Sequence, residues 1–343
     1  MRLHEDSRLF RQAVLATAHE MQLPAVYVEK DYWVTLALKE IFSGAASADC
    51  VFKGGTSLSK CYGLIDRFSE DVDLVVRQSG GDSGAQLKKK LKTVSESIVD
   101  VLPEVEVAGV TMKRGMIRKT AHSYPKLFEG RFGQVRGDVI LLESSWLGES
   151  EPSASRPLSC YLYEMMLRNG QEQMVTEFEL LPFDVQVLRP ERTLCEKMMS
   201  LVRFSCGENP VESLKNKVRH IYDLYQLLER EEYDHFFESD EFEMLLKQIA
   251  RSDLKTLSHS EWIRSHPADA LVFAEAESVW QELEPVYSGA FRDLVYGTLP
   301  APELMEATLC RIRDRMRAFS WIEGENATTE PAASWAPLTG SSG

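Results

Sequence analysis

The chain has 343 residues, 44% hydrophobic and 27% charged, with a formal net charge of −14 at pH 7, and that length has room for about two domains with sizeable cores. Its six cysteines show no CxxC spacing, which argues against a zinc site or a disulfide framework and predicts reduced thiols in a cytoplasmic compartment. MRLHEDSRLF lacks the apolar stretch of a signal peptide, no run of about 18 apolar residues is present to span a membrane, and the negative charge argues at first against a nucleic-acid partner.

In chain order, apolar spacing predicts helices over 7–22 and 29–43, the second with Tyr32, Trp33, Leu36, Leu38 and Ile41 along an apolar face. Cys50–Lys53 reads as a short strand, Gly54-Gly55 as a turn, Thr56–Leu64 as a short helix and Asp71–Val76 as a strand. A polar loop over 78–84 precedes an amphipathic helix over 86–101. Strands are expected over 105–113, 118–128 and 135–146, with 158–168 and 177–188 as further candidates. Pro190 stands where a helix would begin, and 191–205, 211–230, 240–250, 268–285 and 301–318 read as helical. From Gly324 onwards the chain is small, polar and proline-containing, which predicts disorder. The pattern gives an α+β domain over 1–190, a helical domain over 191–323 and a disordered tail over 324–343.

Acids two apart on a strand project from one face, so Asp71 and Asp73 share a side while Val72 and Leu74 point into the core. Such a pair repels itself unless a cation intervenes. Mg²⁺ binds one or two carboxylates together with substrate phosphates, which makes DxD on a strand a reasonable phosphoryl-transfer site. Shortly before it, Lys53-Gly54-Gly55-Thr56-Ser57-Leu58-Ser59-Lys60 follows a strand and opens a helix. Paired glycines allow positive φ and close approach to a ligand, and a helix start offers N–H groups to a phosphate. Thr56 or Ser57 can add a hydroxyl to that phosphate or serve as a plain N-cap. The run is neither a P-loop nor GxGxxG. A Gly-Gly turn followed by a DxD strand resembles the core of the polymerase-β-like nucleotidyltransferases, in which a third carboxylate on a later strand completes the metal site. Glu143, at the end of the apolar run Val139–Leu142, is the first candidate and Asp138 the second; the alternative for Glu143 is a strand end emerging into water.

VFKGGTSLSKCYGLIDRFSEDVDLVV, together with VEKDYW at Val28–Trp33, ERTLCEK at Glu191–Lys197 and the Arg219–Leu224 helix, resembles the AbiEii/AbiGii toxin family of nucleotidyltransferases. These are the toxin halves of type IV toxin–antitoxin and abortive-infection systems, with the MenT toxins as relatives. The resemblance covers roughly residues 25–230. It implies a polymerase-β-like core, a mixed sheet with helices, followed by a helical C-terminal domain. It implies that Lys53, Gly54, Gly55, Thr56, Ser57 and Lys60 bind the nucleotide and that Asp71 and Asp73, with Glu143, hold Mg²⁺. Lys197 would contact phosphate, and Asp223 would complete the catalytic set. Residue spacing puts Lys197 on or beside an apolar face, between Leu194 and Leu201. Asp223 lies among Ile221, Tyr222, Leu224 and Tyr225, where an unpaired acid is costly, and Arg219 one turn earlier is the partner that spacing offers.

The expected activity is nucleotide transfer from an NTP to an acceptor, in such relatives the 3′ end of tRNA, which blocks translation; a cognate antitoxin is the expected protein partner. Between Gln86 and Gly137 eleven Lys and Arg face five Asp and Glu, a local +6, so the remaining chain carries −20. Lys88, Lys89, Lys90, Lys92, Lys113, Arg114, Arg118, Lys119 and Lys126 form either a track for an RNA backbone or a solvated face. The alternatives are a same-fold enzyme that nucleotidylates a protein or small molecule, and a nucleotide- or RNA-binding module without turnover.

Overall fold

The computed structural model of the protein describes residues 2–69, 71–130, 139–256 and 261–322. Its strands are β1 (Cys50–Lys53), β2 (Val72–Val76), β3 (Glu104–Val105), β4 (Met112–Arg114), β5 (Ile117–Ser123), β6 (Val139–Ser145), β7 (Ser153–Leu158) and β8 (Phe183–Leu188). Before the last strand come helices α1 (Ser7–Met21), α2 (Ala25–Ser43), α3 (Gly54–Lys60), α4 (Gly84–Glu96), α5 (Tyr161–Arg168) and α6 (Glu172–Glu177). After it come α7 (Pro190–Phe204), α8 (Pro210–Lys215), α9 (Val218–Leu228), α10 (Glu231–Glu238), α11 (Asp240–Thr256), α12 (Leu271–Ala274), α13 (Ala276–Val286) and α14 (Pro302–Arg317).

The strands form one mixed sheet in the order β3-β5-β6-β2-β1-β8-β7, with β4 added beside β5. β2 lies between β6, to which it is parallel, and β1, to which it is antiparallel. Side-chain alternation then divides the residues between two faces. Cys50 and Phe52, Val72, Leu74 and Val76, Ile140 and Leu142, and Val185 and Val187 enter a core shared with α1, α2, α4 and α5. A second core is built from α7, α9, α10, α11, α13 and α14, and it takes in Val26, Tyr27, Leu58, Ile65 and Phe68 from the earlier part of the chain. The segment before β2 is pinned to this helical part. Phe68 N donates to Leu294 O at 2.7 Å, Arg67 bridges to Val295, and the Tyr27 ring stacks on Phe68 at 4.0 Å. None of the described helices is long and apolar enough to cross a membrane.

Several expected elements shift for local reasons. Gly54-Gly55 is not a free turn but the first residues of α3. The single strand expected over 105–113 splits into β3 and β4, because 106–111 turns back on itself with Val110 N and Thr111 N both donating to Val107 O. The strand expected over 158–168 is α5: Leu162, Met165 and Met166 are buried at helical spacing, and the extended segment is the preceding β7. Residues 177–188 divide between the end of α6 and β8, and 211–230 between α8 and α9. Asp138, the start of the strand expected from 135 and the tail from 324 lie outside the described residues.

Candidate active site

Sheet register assembles the site. Lys53 lies opposite Asp73, Asp73 beside Glu143, and Glu143 beside Lys119. One row across four strands therefore carries plus, minus, minus, plus, on the face turned away from the α1–α2 core. Asp71 stands just before β2 and adds its charge to the same place. Desolvation, then Asp71, then Glu143 push the Asp73 carboxyl up to about 7, against the pull of Lys53 and Lys119. Asp73 nevertheless stays half-buried, open enough to meet a ligand.

The outer acids lean on cations at the rim. Arg219 Nη1 is 3.8 Å from Asp71 Oδ2, and Lys119 Nζ is 3.3 Å from Glu143 Oε2. As the side chains stand, no three His, Cys, Asp or Glu groups among the described residues converge as a ligand set. Backbone register, rather than rotamer choice, brings the acids together. The donor chemistry still fits a hard divalent cation: oxygen ligands from Asp71, Asp73 and Glu143, with Asp73 burdened by its two acidic neighbours.

The glycine bend abuts this row. Gly54 has φ +83°, and a Cβ there would lie 2.5 Å from Asp73 Oδ2. At Gly55 a Cβ would lie 2.5 Å from Arg67 Nη2. The two glycines thus let the start of α3 touch the acid on one side and Arg67 on the other, and no side chain caps that helix start. Thr56 Oγ1 donates to Asp71 O at 2.7 Å and accepts from Ser69 Oγ at 2.9 Å, and Ser57 Oγ donates to Gly54 O at 2.8 Å. Both hydroxyls brace the bend and the acid-bearing segment; neither is needed as an N-cap.

Beside the row, α7 contributes Glu196 and Lys197. Glu196 Oε2 is 3.7 Å from Lys53 Nζ and its Oε1 is 3.0 Å from Arg192 Nε. Desolvation would raise this acid, but Lys53 and Arg192 outweigh it and hold it below its ordinary range. Lys197 Nζ is 2.7 Å from Asp223 Oδ2, and Arg67 grips the same carboxylate from Nε at 2.6 Å and Nη2 at 2.7 Å. Asp223 is fully enclosed, and Arg67 and Lys197 hold it ionised against the cost of burial. Its partner is therefore not Arg219, which spacing had offered; Arg219 turns towards Asp71, because Arg67 arrives from a segment distant in sequence and fills the position.

Of the residues expected from sequence, Lys53, Gly54, Asp71, Asp73 and Glu143 come together, with Gly55 beside Gly54, while Lys197 is turned to Asp223. Asp223 stands behind Lys197 as the group that orients it. Lys60 faces elsewhere, paired with Asp31 and packed over the Tyr161 ring at 5.4 Å, while Asp31 also accepts from Tyr161 N at 2.8 Å. Arg67 and Glu196 were not singled out in advance. The available signal for Arg67 was the demand of a buried Asp223 for a bidentate partner.

A family model, nucleotidyl transferase AbiEii toxin of type IV toxin–antitoxin systems, matches residues 37–321. The chain belongs to this family. It is thus a nucleotidyltransferase, and its family places it with the toxin component of a two-part system that includes an antitoxin. Among solved structures it is similar to MenT4, a nucleotidyltransferase toxin from Mycobacterium tuberculosis H37Rv, at 18% identity over 90% of each chain with a TM-score of 0.56. That likeness concerns the fold, an α+β mixed sheet with many helices. No curated protein matches the sequence.

Proposed function

We propose that this AbiEii toxin transfers a nucleotide from an NTP to the 3′ end of an RNA such as tRNA, with Mg²⁺ held by Asp71, Asp73 and Glu143. The observation that carries the reading is the in-register pair Asp73–Glu143, with Asp73 lying against Gly54. When bound, the ion supplies positive charge to the attacking and leaving oxygens. The uncapped start of α3, held against Asp73 and Arg67 by Gly54 and Gly55, turns its free N–H groups to the phosphate oxygens. Lys197, fixed by Asp223, offers an ammonium to the departing pyrophosphate.

Acids pair with Lys90, Lys92, Lys113, Arg118, Lys119 and Lys126, leaving Lys88, Lys89 and Arg114 without an acidic partner among the described residues. These three exposed cations are the remaining contacts for a phosphate backbone on that side. The test is incubation with each α-labelled NTP and purified tRNA, with Mg²⁺ or with chelator. Label is expected in RNA only with Mg²⁺ and not with Asp73→Asn. Label appearing in protein instead, or no NTP consumed, overturns the proposal.

A further inference from the structure

Next to the acid row stands a cluster with the reverse imbalance. α7 ends at Phe204 and α9 follows Lys217, so the two helix ends gather Arg203, Phe204, Lys217 and Arg219. Lys217 Nζ lies 4.3 Å from the Phe204 ring centroid and Arg203 Cζ lies 5.5 Å from it. Contact with an aromatic face holds a cation in place without neutralising it. Among the described residues neither Arg203 nor Lys217 has a carboxylate within the 4.0 Å of an ion pair, whereas Lys53, Arg67, Arg192 and Lys197 each do.

The cluster is strained by its own charge. Desolvation, then Arg219, Arg203 and Lys197, lower the basicity of Lys217, and the acid that works against them is Asp73. Arg219, two residues after Lys217, lies 3.8 Å from Asp71 Oδ2, so the start of α9 borders the acid row. No side chain caps the first turn of α9, whose N–H groups add positive potential. Within that turn His220 Nδ1 is buried without a hydrogen-bond partner among the described residues. Like charges gathered around the half-buried Lys217, with Arg203 at the exposed edge, call for a counter-ion, as the acids do. Side by side, the two clusters match the two halves of a metal-bound polyphosphate.

We infer that Arg203 and Lys217, held in position by Phe204, bind the β- and γ-phosphates of the incoming nucleoside triphosphate. The inference rests on the NTP reading of the acid row and extends the site beyond the glycine bend and Lys197. An RNA backbone offers the same phosphate chemistry. The triphosphate is favoured because the Phe204 ring is engaged by two cations rather than offered as a stacking platform for bases, and because Arg219, next to Lys217, already reaches Asp71 of the acid row at 3.8 Å.

The experiment uses the full chain and its Lys217→Ala, Lys217→Arg, Arg203→Ala and Phe204→Leu variants. Affinity for inorganic tripolyphosphate, KM for the NTP and the salt dependence of tRNA binding are measured on each, with thermal melting as the control for folding. Lys217→Ala and Arg203→Ala are expected to weaken tripolyphosphate binding and raise KM by about tenfold or more. Lys217→Arg restores most of the loss, Phe204→Leu gives a smaller change in the same direction, and the salt slope with tRNA stays put. Unchanged tripolyphosphate affinity in both alanine variants overturns the inference, and so does a loss confined to tRNA. Wild-type turnover of NTP with unaffected variants breaks this site and leaves the acid-row reading intact. Tripolyphosphate binding that depends on Lys217 in a chain consuming no NTP does the opposite.

Discussion

Asp223 and Asp73 are both desolvated carboxylates, and their surroundings push them in opposite directions. Around Asp223 the charges close on themselves: Arg67 and Lys197 satisfy both oxygens, and the group is sealed. Around Asp73 they do not close. Two acids crowd it, and the cations that oppose them, Lys53 and Lys119, sit on the adjacent β1 and, beyond β6, on β5. A balanced buried network holds parts of a protein in register, whereas an unbalanced one costs stability and persists where a ligand completes it. Here the first network ties β2's leading segment to α7 and α9, and the second lies where those three elements meet the sheet.

The contrast breaks most easily at the closed network. Asp223→Asn leaves Arg67 and Lys197 without their counter-charge, and breaking a buried pair costs about 3–5 kcal/mol. A urea titration should show that loss as a lowered midpoint; a shift worth under about 1 kcal/mol would mean the network is ornamental. The open cluster should respond the other way. Asp73→Asn removes one of three mutually repelling acids, so stability is expected to hold or rise while turnover falls by at least about a hundredfold. If Asp73→Asn unfolds the chain as readily as Asp223→Asn, the two clusters are not different in kind.

Much of the open cluster was legible because its logic is local. DxD on a strand, the glycine pair before a helix and an acid ending an apolar run each depend on neighbours in sequence, and Asp73, Gly54 and Glu143 meet as those patterns implied. The closed network was not legible, since Arg67 and Asp223 lie 156 positions apart and only tertiary packing selects Arg67 over the nearer Arg219. The pairing of Lys60 was hidden for a related reason. Its motif position suggested phosphate, but its partner Asp31 comes from α2. Helix-period residues read as strand at 158–168 show the same limit, where a short apolar run fits either period until the neighbouring helix is known.

A smaller test separates contact from conformation at the bend. Gly54 and Gly63 both have positive φ, but a Cβ at Gly63 meets nothing within 4 Å while one at Gly54 meets Asp73. Gly63→Ala should therefore cost about 1–2 kcal/mol from backbone strain alone and leave turnover unchanged. Gly54→Ala should cost more than that and lower turnover as well, measured side by side in melting and transfer assays. Equal behaviour of the two would remove the close approach of the bend from the account.

The mildest effect concerns His220, which reports how positive its corner is. Desolvation first, then Lys197 from α7, Lys217 just before α9, Arg219 beside it on α9, and Arg67 from the segment before β2, hold its imidazole well below the ordinary 6.5. In the unfolded chain the same ring takes up a proton near that ordinary value, so below about pH 6.5 the unfolded state binds a proton that the fold refuses. The stability that depends on a neutral ring is complete above that pH and is lost as the pH falls, by up to about 1.4 kcal/mol per unit. His220→Asn removes this titration while leaving the carboxylates that also respond to acid. The difference in slope between variant and wild type, followed by denaturant unfolding from pH 7 to about 5, isolates the one group. A wild-type slope no steeper than the variant's would mean that the ring protonates freely in the fold, and that the cations around it are already offset.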